Sequence, residues 1–89
     1  MAYKLSYSED ALKDLEKLDN SVRRMILHWL KKNIEETVNS RLHGKELVGN
    51  LRGYWRYRVG NYRIIMAIDD NEAVVLALRI GHRSTIYDI

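Results

Sequence analysis

The sequence predicts an α+β domain: an N-terminal strand and a helical hairpin precede an antiparallel three-strand meander, with the helices packed on one face of the sheet. Three observations predict it. Two apolar stripes at helical spacing occupy the first half of the chain, two alternating runs joined by Gly60-Asn61 read as a hairpin, and a third run follows Asp69-Asp70-Asn71-Glu72.

Over residues 2–7, Tyr3, Leu5 and Tyr7 alternate with Ala2, Lys4 and Ser6, the pattern of a short first strand. Ser8 is placed to cap a helix, and Glu9 and Asp10 put negative charge where the helix dipole favours it. Ala11, Leu12, Leu15 and Leu18 follow at helical spacing. Asp19-Asn20-Ser21 supplies a break and a new cap, and a second helix runs to about Glu36 with Val22, Met25, Ile26, Trp29, Leu30 and Ile34 on one stripe. Residues 37–53 carry Gly44, Gly49 and Gly53 among polar neighbours and read as a basic loop leading into the second strand.

A two-residue Gly60-Asn61 turn pairs Val59 with Tyr62 and therefore sets Arg58 directly across from Arg63. Alternation then sends Trp55, Tyr57, Val59, Tyr62, Ile64, Met66 and Ile68 to a core face, and Arg56, Arg58, Arg63, Ile65 and Ala67 to the other. The third run, Ala73 to Ile80, is expected to add Val74, Leu76, Leu78 and Ile80 to the core face, with Arg79 near Arg63 on the arginine face. Opposed like charges destabilise a strand pair. Arginines that merely blunt sheet edges are the bland alternative, but a face of one sign points to an anionic partner, and RNA is the reading adopted.

At 89 residues with 46% hydrophobic content, the chain fits a single domain over residues 1–89 with one modest core. It has no cysteine, no long apolar run and no secretory leader pattern, which suits a soluble cytoplasmic protein and gives no sign of a membrane partner. The net charge of +3 is unevenly spread. Charges balance over residues 1–40, whereas residues 41–63 set Arg41, Lys45, Arg52, Arg56, Arg58 and Arg63 against Glu46 alone. A patch dominated by arginine suits phosphate, because guanidinium offers a planar fork of donors. Base stacking is the weaker idea, since alternation commits Trp55, Tyr57 and Tyr62 to the core.

No phosphate-cradling glycine loop, metal-ligand spacing or nucleophilic triad is present, and no cofactor is implied. RNA carries its own nucleophile in the ribose 2′-hydroxyl, so cleavage needs alignment, stabilisation of charge on phosphorus, and proton transfer. Arginine is a poor base because it stays protonated. The proton-transfer candidates are therefore His82, Glu46 and Tyr87. His82 ends the third run, where it is placed to overhang the arginine face; His28 reads as a helix-surface residue and His43 as a solvated loop residue.

The run from Gly49 to Ile64, with Arg79-Ile80-Gly81-His82-Arg83-Ser84-Thr85-Ile86-Tyr87, resembles the RelE branch of the RelE/ParE toxins. The order of elements fits a RelE-like fold as well. The resemblance implies a type II toxin that acts as a metal-independent mRNA endonuclease in the ribosomal A site, inhibits translation, and forms a hetero-oligomer with a cognate RelB-like antitoxin. By that resemblance Arg56, Arg58 and Arg63 stand for the family's basic sheet residues, and Arg83 and Tyr87 for its C-terminal basic residue and tyrosine. Several RelE-type members carry lysines where this chain has Arg56 and Arg58. YoeB-type relatives use a glutamate and a C-terminal histidine, places that Glu46 and His82 would fill. The site expected is Arg63, Arg83, His82, Tyr87 and Glu46 for catalysis, with Arg56, Arg58, Arg79, Lys45 and Arg52 binding phosphate. Rival readings are a ParE-like inhibitor of DNA gyrase, a non-catalytic RNA- or ribosome-binding module, and a degenerate toxin kept as an antitoxin partner.

Overall fold

A computed structural model describes residues 3–82, and Arg83 and Tyr87 lie outside the described residues. Strand β1 (Lys4–Tyr7) leads into helix α1 (Glu9–Glu16) through Ser8, whose hydroxyl accepts from the Ala11 N–H at 3.0 Å. Satisfying an orphan donor in this way stabilises a helix start by about 1 kcal/mol. Helix α2 (Asn20–Leu30) follows and widens into a π turn over Lys31–Glu35, closed by the Glu36 N–H donating to the Lys31 carbonyl. The expected second helix thus exists, with its last turn opened.

Four further strands complete the sheet: β2 (Gly44–Glu46), β3 (Tyr54–Val59), β4 (Tyr62–Asp69) and β5 (Val74–His82). Their order is β1-β5-β4-β3-β2, with β1 parallel to β5 and every other pair antiparallel. Strand β2 was not expected. Its three residues, one of them glycine, carry no alternating apolar signal, and only pairing with β3 defines it.

The β3–β4 register is the expected one, Val59 against Tyr62 and Arg58 against Arg63. Gly60 has φ +61 while Asn61 keeps a negative φ, the pattern of a II′ hairpin turn, so a side chain at position 60 would be strained. One face of the sheet meets the helices. Ala11 and Leu15 of α1, Ile26 and Leu30 of α2, and Ile34 of the π turn are buried against Tyr57, Val59, Ile64, Met66, Val75, Ala77 and Ile80. Each fully buried aliphatic side chain there contributes about 1.5–3 kcal/mol. Burial also holds the Tyr57 phenol up at a pKa of about 12, so it stays a donor, and it bonds the Ser40 carbonyl at 2.6 Å.

Strand β5 departs from expectation. Ile65 pairs with Arg79 but Met66 pairs with Ala77, so a bulge at Leu78 shifts the phase by one residue. Val75 and Ala77 are therefore the buried residues, where Val74, Leu76 and Leu78 were expected; Ile80 keeps its core position because it lies beyond the bulge.

Past the end of β1, the edge of β5 is finished by a side chain. Asp14 on α1 accepts from the Ile80 N–H and from Arg79 Nε, both at 2.9 Å, and from Arg79 Nη2 at 3.3 Å. Asp14→Ala removes all three acceptances and leaves a buried N–H unmet, a loss of about 2 kcal/mol. Thermal unfolding followed by circular dichroism is expected to show a Tm lower on the order of 10 °C.

A cationic open face as candidate functional site

The sheet face away from the helices carries the arginines. Register pairs place Lys45 beside Arg56 and Arg58 beside Arg63, and partners across a ladder share a face. His43, Gly44, Lys45, Arg56 and Arg58 line a cavity of about 270 Å³. Arg58 also lines a second recess of about 100 Å³ with Arg63 and the Gly60-Asn61-Tyr62 turn. Arg58 is exposed, whereas Arg63 is buried at 6% exposure. Two guanidiniums of like sign set side by side across the ladder concentrate positive potential on this face, which suits an anionic ligand.

Other expected site residues lie elsewhere. Glu46 pairs with Trp55, which packs on the core, so Glu46 stands on the helix side at the sheet edge. His82 pairs with Tyr62 and meets its ring edge-on at 5.7 Å between centroids, again on the helix side rather than overhanging the arginines. Arg79 was expected near Arg63 on the arginine face; it pairs with Ile65, while Arg63 pairs with Gly81, and the Arg79 guanidinium is engaged by Asp14. Arg52 follows the 3-10 turn Gly49–Leu51 and lines neither recess. Tyr54, by contrast, the one of the interleaved aromatics that alternation does not commit to the core, shares the face of Arg56 and Arg58 and is 37% exposed, giving the open face an aromatic surface. Among the described residues, no three His, Cys, Asp or Glu side chains gather as a metal site.

The loop that delivers β2 is pinned at two points. Ser40 is buried, its hydroxyl donating to the Ile34 carbonyl and its carbonyl accepting from Tyr57. Arg41 lies 5.5 Å over the Trp55 ring and donates to both carboxylate oxygens of Asp70 at 3.1 and 2.9 Å. Asp70 also accepts from the Tyr3 hydroxyl, and these two hydrogen bonds, Tyr3 first, hold its carboxyl below the usual range. A depressed carboxyl stabilises the fold above its ordinary pKa and loses that contribution as pH falls through the lowered value. Asp70→Asn is therefore expected to speed amide exchange over residues 37–43 at neutral pH. Wild type would match the variant only in strong acid, and equal exchange at pH 7 would contradict the clamp.

The other half of the open face is apolar. Ser6, Ala67, Val74 and Leu76 line a shallow groove of about 510 Å³, bordered by Asp69 and Glu72. No helix among the described residues is long and apolar enough to cross a membrane.

A family model described as the ParE toxin of the type II toxin-antitoxin system parDE matches residues 5–87. The chain belongs to the RelE/ParE toxin superfamily. Among RelE/ParE relatives, it is 31% identical to Toxin RelG of Mycobacterium tuberculosis over 98% of each chain. It is 34% identical to the mRNA interferase toxin RelE of Escherichia coli, over 98% of this chain and 92% of that one. The RelE/ParE fold is shared as well. The RelBE2 toxin-antitoxin complex of M. tuberculosis matches with a TM-score of 0.80 at 28% identity over 94% of both chains. The isolated E. coli RelE toxin matches at 0.71 and 27% identity, over 97% of this chain and 92% of that one.

Proposed function

We propose that the chain is the toxin of a type II toxin–antitoxin pair and a ribosome-dependent endoribonuclease, cutting mRNA in the A site by attack of a ribose 2′-hydroxyl on the adjacent phosphate. The observation that carries this reading is the cavity of Lys45, Arg56 and Arg58 on a sheet face the helices leave open. It is supported by relatives named mRNA interferase. Because the substrate brings its own nucleophile, the reaction needs no protein nucleophile. Preorganised guanidinium donors lower the barrier by meeting the extra negative charge that develops on phosphorus. In this reading Arg58, with Arg56 and Lys45, grips the scissile phosphate, Arg63 adds positive charge beside Arg58, and Arg83 and Tyr87 are the further catalytic residues that the family resemblance assigns. Ribosomal substrate places the toxin in the cytoplasm.

The partner in this reading is a RelB-like antitoxin, as in the complexes of relatives. Cationic and apolar halves on one open face suit an acidic segment with an apolar stripe, which neutralises the first and buries the second.

The matched model carries the ParE description, so gyrase inhibition is the second reading. Two assays separate them: translation of a reporter mRNA in a purified system, and supercoiling by purified gyrase. Blocked translation with unaffected supercoiling is expected. Blocked supercoiling with normal translation would replace the endonuclease reading by the ParE-like one.

A further inference from the structure

Of the proton-transfer candidates, Glu46 and His82 both stand on the helix side of the sheet, and Tyr87 lies outside the described residues. One imidazole does stand with the arginines. His43 is the turn residue just before β2 and lines the same cavity as Lys45, Arg56 and Arg58. Of the described side chains lining that cavity, it alone belongs to the type whose charge ordinarily changes between pH 5 and 8.

Its position is fixed from three sides. Ser40 and Arg41 anchor the chain just upstream, the first through Tyr57 and the second through Asp70. Gly44, just downstream, lies so close to the Tyr57 ring that a Cβ there would fall 2.6 Å from Cζ, which sets the backbone of β2 flat against a buried side chain. Trp29 of α2 meets the imidazole edge-on at 6.1 Å between centroids and backs it from the helix side. The ring is nonetheless exposed, as a group that must meet substrate has to be.

We propose that His43 is the general base of the cleavage reaction, an assignment that rests on the endonuclease reading above. One imidazole nitrogen takes the proton of the ribose 2′-hydroxyl as O2′ bonds to phosphorus. The P–O5′ bond breaks, O5′ leaves with a proton from water, and His43 returns its own to solvent; the products are a 2′,3′-cyclic phosphate and a 5′-hydroxyl. Among the described residues, Lys45, Arg56 and Arg58 are the charged groups that line the cavity with the ring, and they bind the phosphate whose neighbouring hydroxyl the ring deprotonates.

The test is single-turnover cleavage of ribosome-bound mRNA by wild type, His43→Ala and His43→Gln across pH 5.5–9, with Kd for the ribosome complex measured alongside. Both variants are expected to fold, since the side chain is exposed. The proposal expects the rate to fall about 100-fold or more, Kd to stay within about twofold, the acid limb of the pH profile to vanish, and added imidazole to restore part of the rate of His43→Ala. An unchanged rate and pH profile overturns it. So does a loss of rate matched by weaker binding with the pH limb intact, which would make His43 a binding residue only. Should wild type itself fail to cleave, the endonuclease reading falls and this assignment with it, whereas wild-type activity with an indifferent His43→Ala removes the assignment alone.

Discussion

Arg58→Ala is expected to lower cleavage of ribosome-bound mRNA by roughly 100- to 1000-fold, the usual effect of deleting one preorganised donor at a developing oxyanion, while thermal stability holds or rises. Both signs follow from one placement. Arg58 lines both recesses of the cationic face, so its removal takes a donor from the phosphate. It also opposes Arg63 across the ladder, so its removal relieves like-charge repulsion of about 0.2–1 kcal/mol. Arg58→Lys keeps the charge and loses the planar fork, and should fall between the two. The pair of readouts, rate and Tm, separates function from folding. Arg63→Ala is the poorer test, because Arg63 is buried and its loss would leave a cavity on that face. A slow, destabilised Arg58→Ala would instead mean that the arginine pair is part of the fold.

The second large effect lies at Gly44. Its missing side chain lets β2 close on the Tyr57 ring, and a built Cβ would sit 2.6 Å from Cζ and 2.7 Å from Cε2. That ring cannot yield cheaply: it is fully buried, stacked edge-on with Trp29 at 6.0 Å, and tied through its hydroxyl to the Ser40 carbonyl. Gly44→Ala must therefore move β2 away from β3 or dislodge the ring, at a cost of about 1–3 kcal/mol. Calorimetry is expected to show a Tm lower by roughly 5–15 °C. Cleavage should fall further than stability alone explains, because β2 carries Lys45 and follows directly on His43. A variant with wild-type Tm would show that β2 adapts freely, and the rigid placement of His43 would lose its support.

The parts of the fold that were legible in the sequence are those set by local rules. Ser8 caps α1 because a hydroxyl at that position meets an orphan N–H, and Gly60-Asn61 fixes the β3–β4 register because only a tight turn fits between Val59 and Tyr62. The parts that were not legible depend on contacts between distant residues. Strand β2 is defined only by its backbone pairing with the distant β3, and nothing in Gly44-Lys45-Glu46 alone announces it. The bulge at Leu78 has no glycine to mark it, and it reverses the faces of Val74 through Ala77 while sparing Ile80. The same limits apply to the site. Arg56, Arg58 and Arg63 were read correctly onto one face because the hairpin is local. Glu46 is carried to the helix side by a strand its own residues do not announce, His82 follows its partner Tyr62 to the same side, and Arg79 is diverted by Asp14, 65 residues away in sequence. His43 sits beside Lys45 because the turn before β2 brings it to the same cavity, and that turn is placed only by the pairing of β2 with β3.

The central claim is that the cationic open face cuts mRNA held on the ribosome. Primer extension tests it most directly, on mRNA bound to ribosomes with an empty A site and on the same mRNA free in solution, using wild type and the doubly substituted Arg56→Ala, Arg58→Ala protein. The account predicts new 5′ ends within the A-site codon for wild type on ribosomes, none on free mRNA, and none for the double variant on either. Cleavage of ribosome-bound mRNA by the folded double variant, or no cleavage by folded wild type, would contradict it.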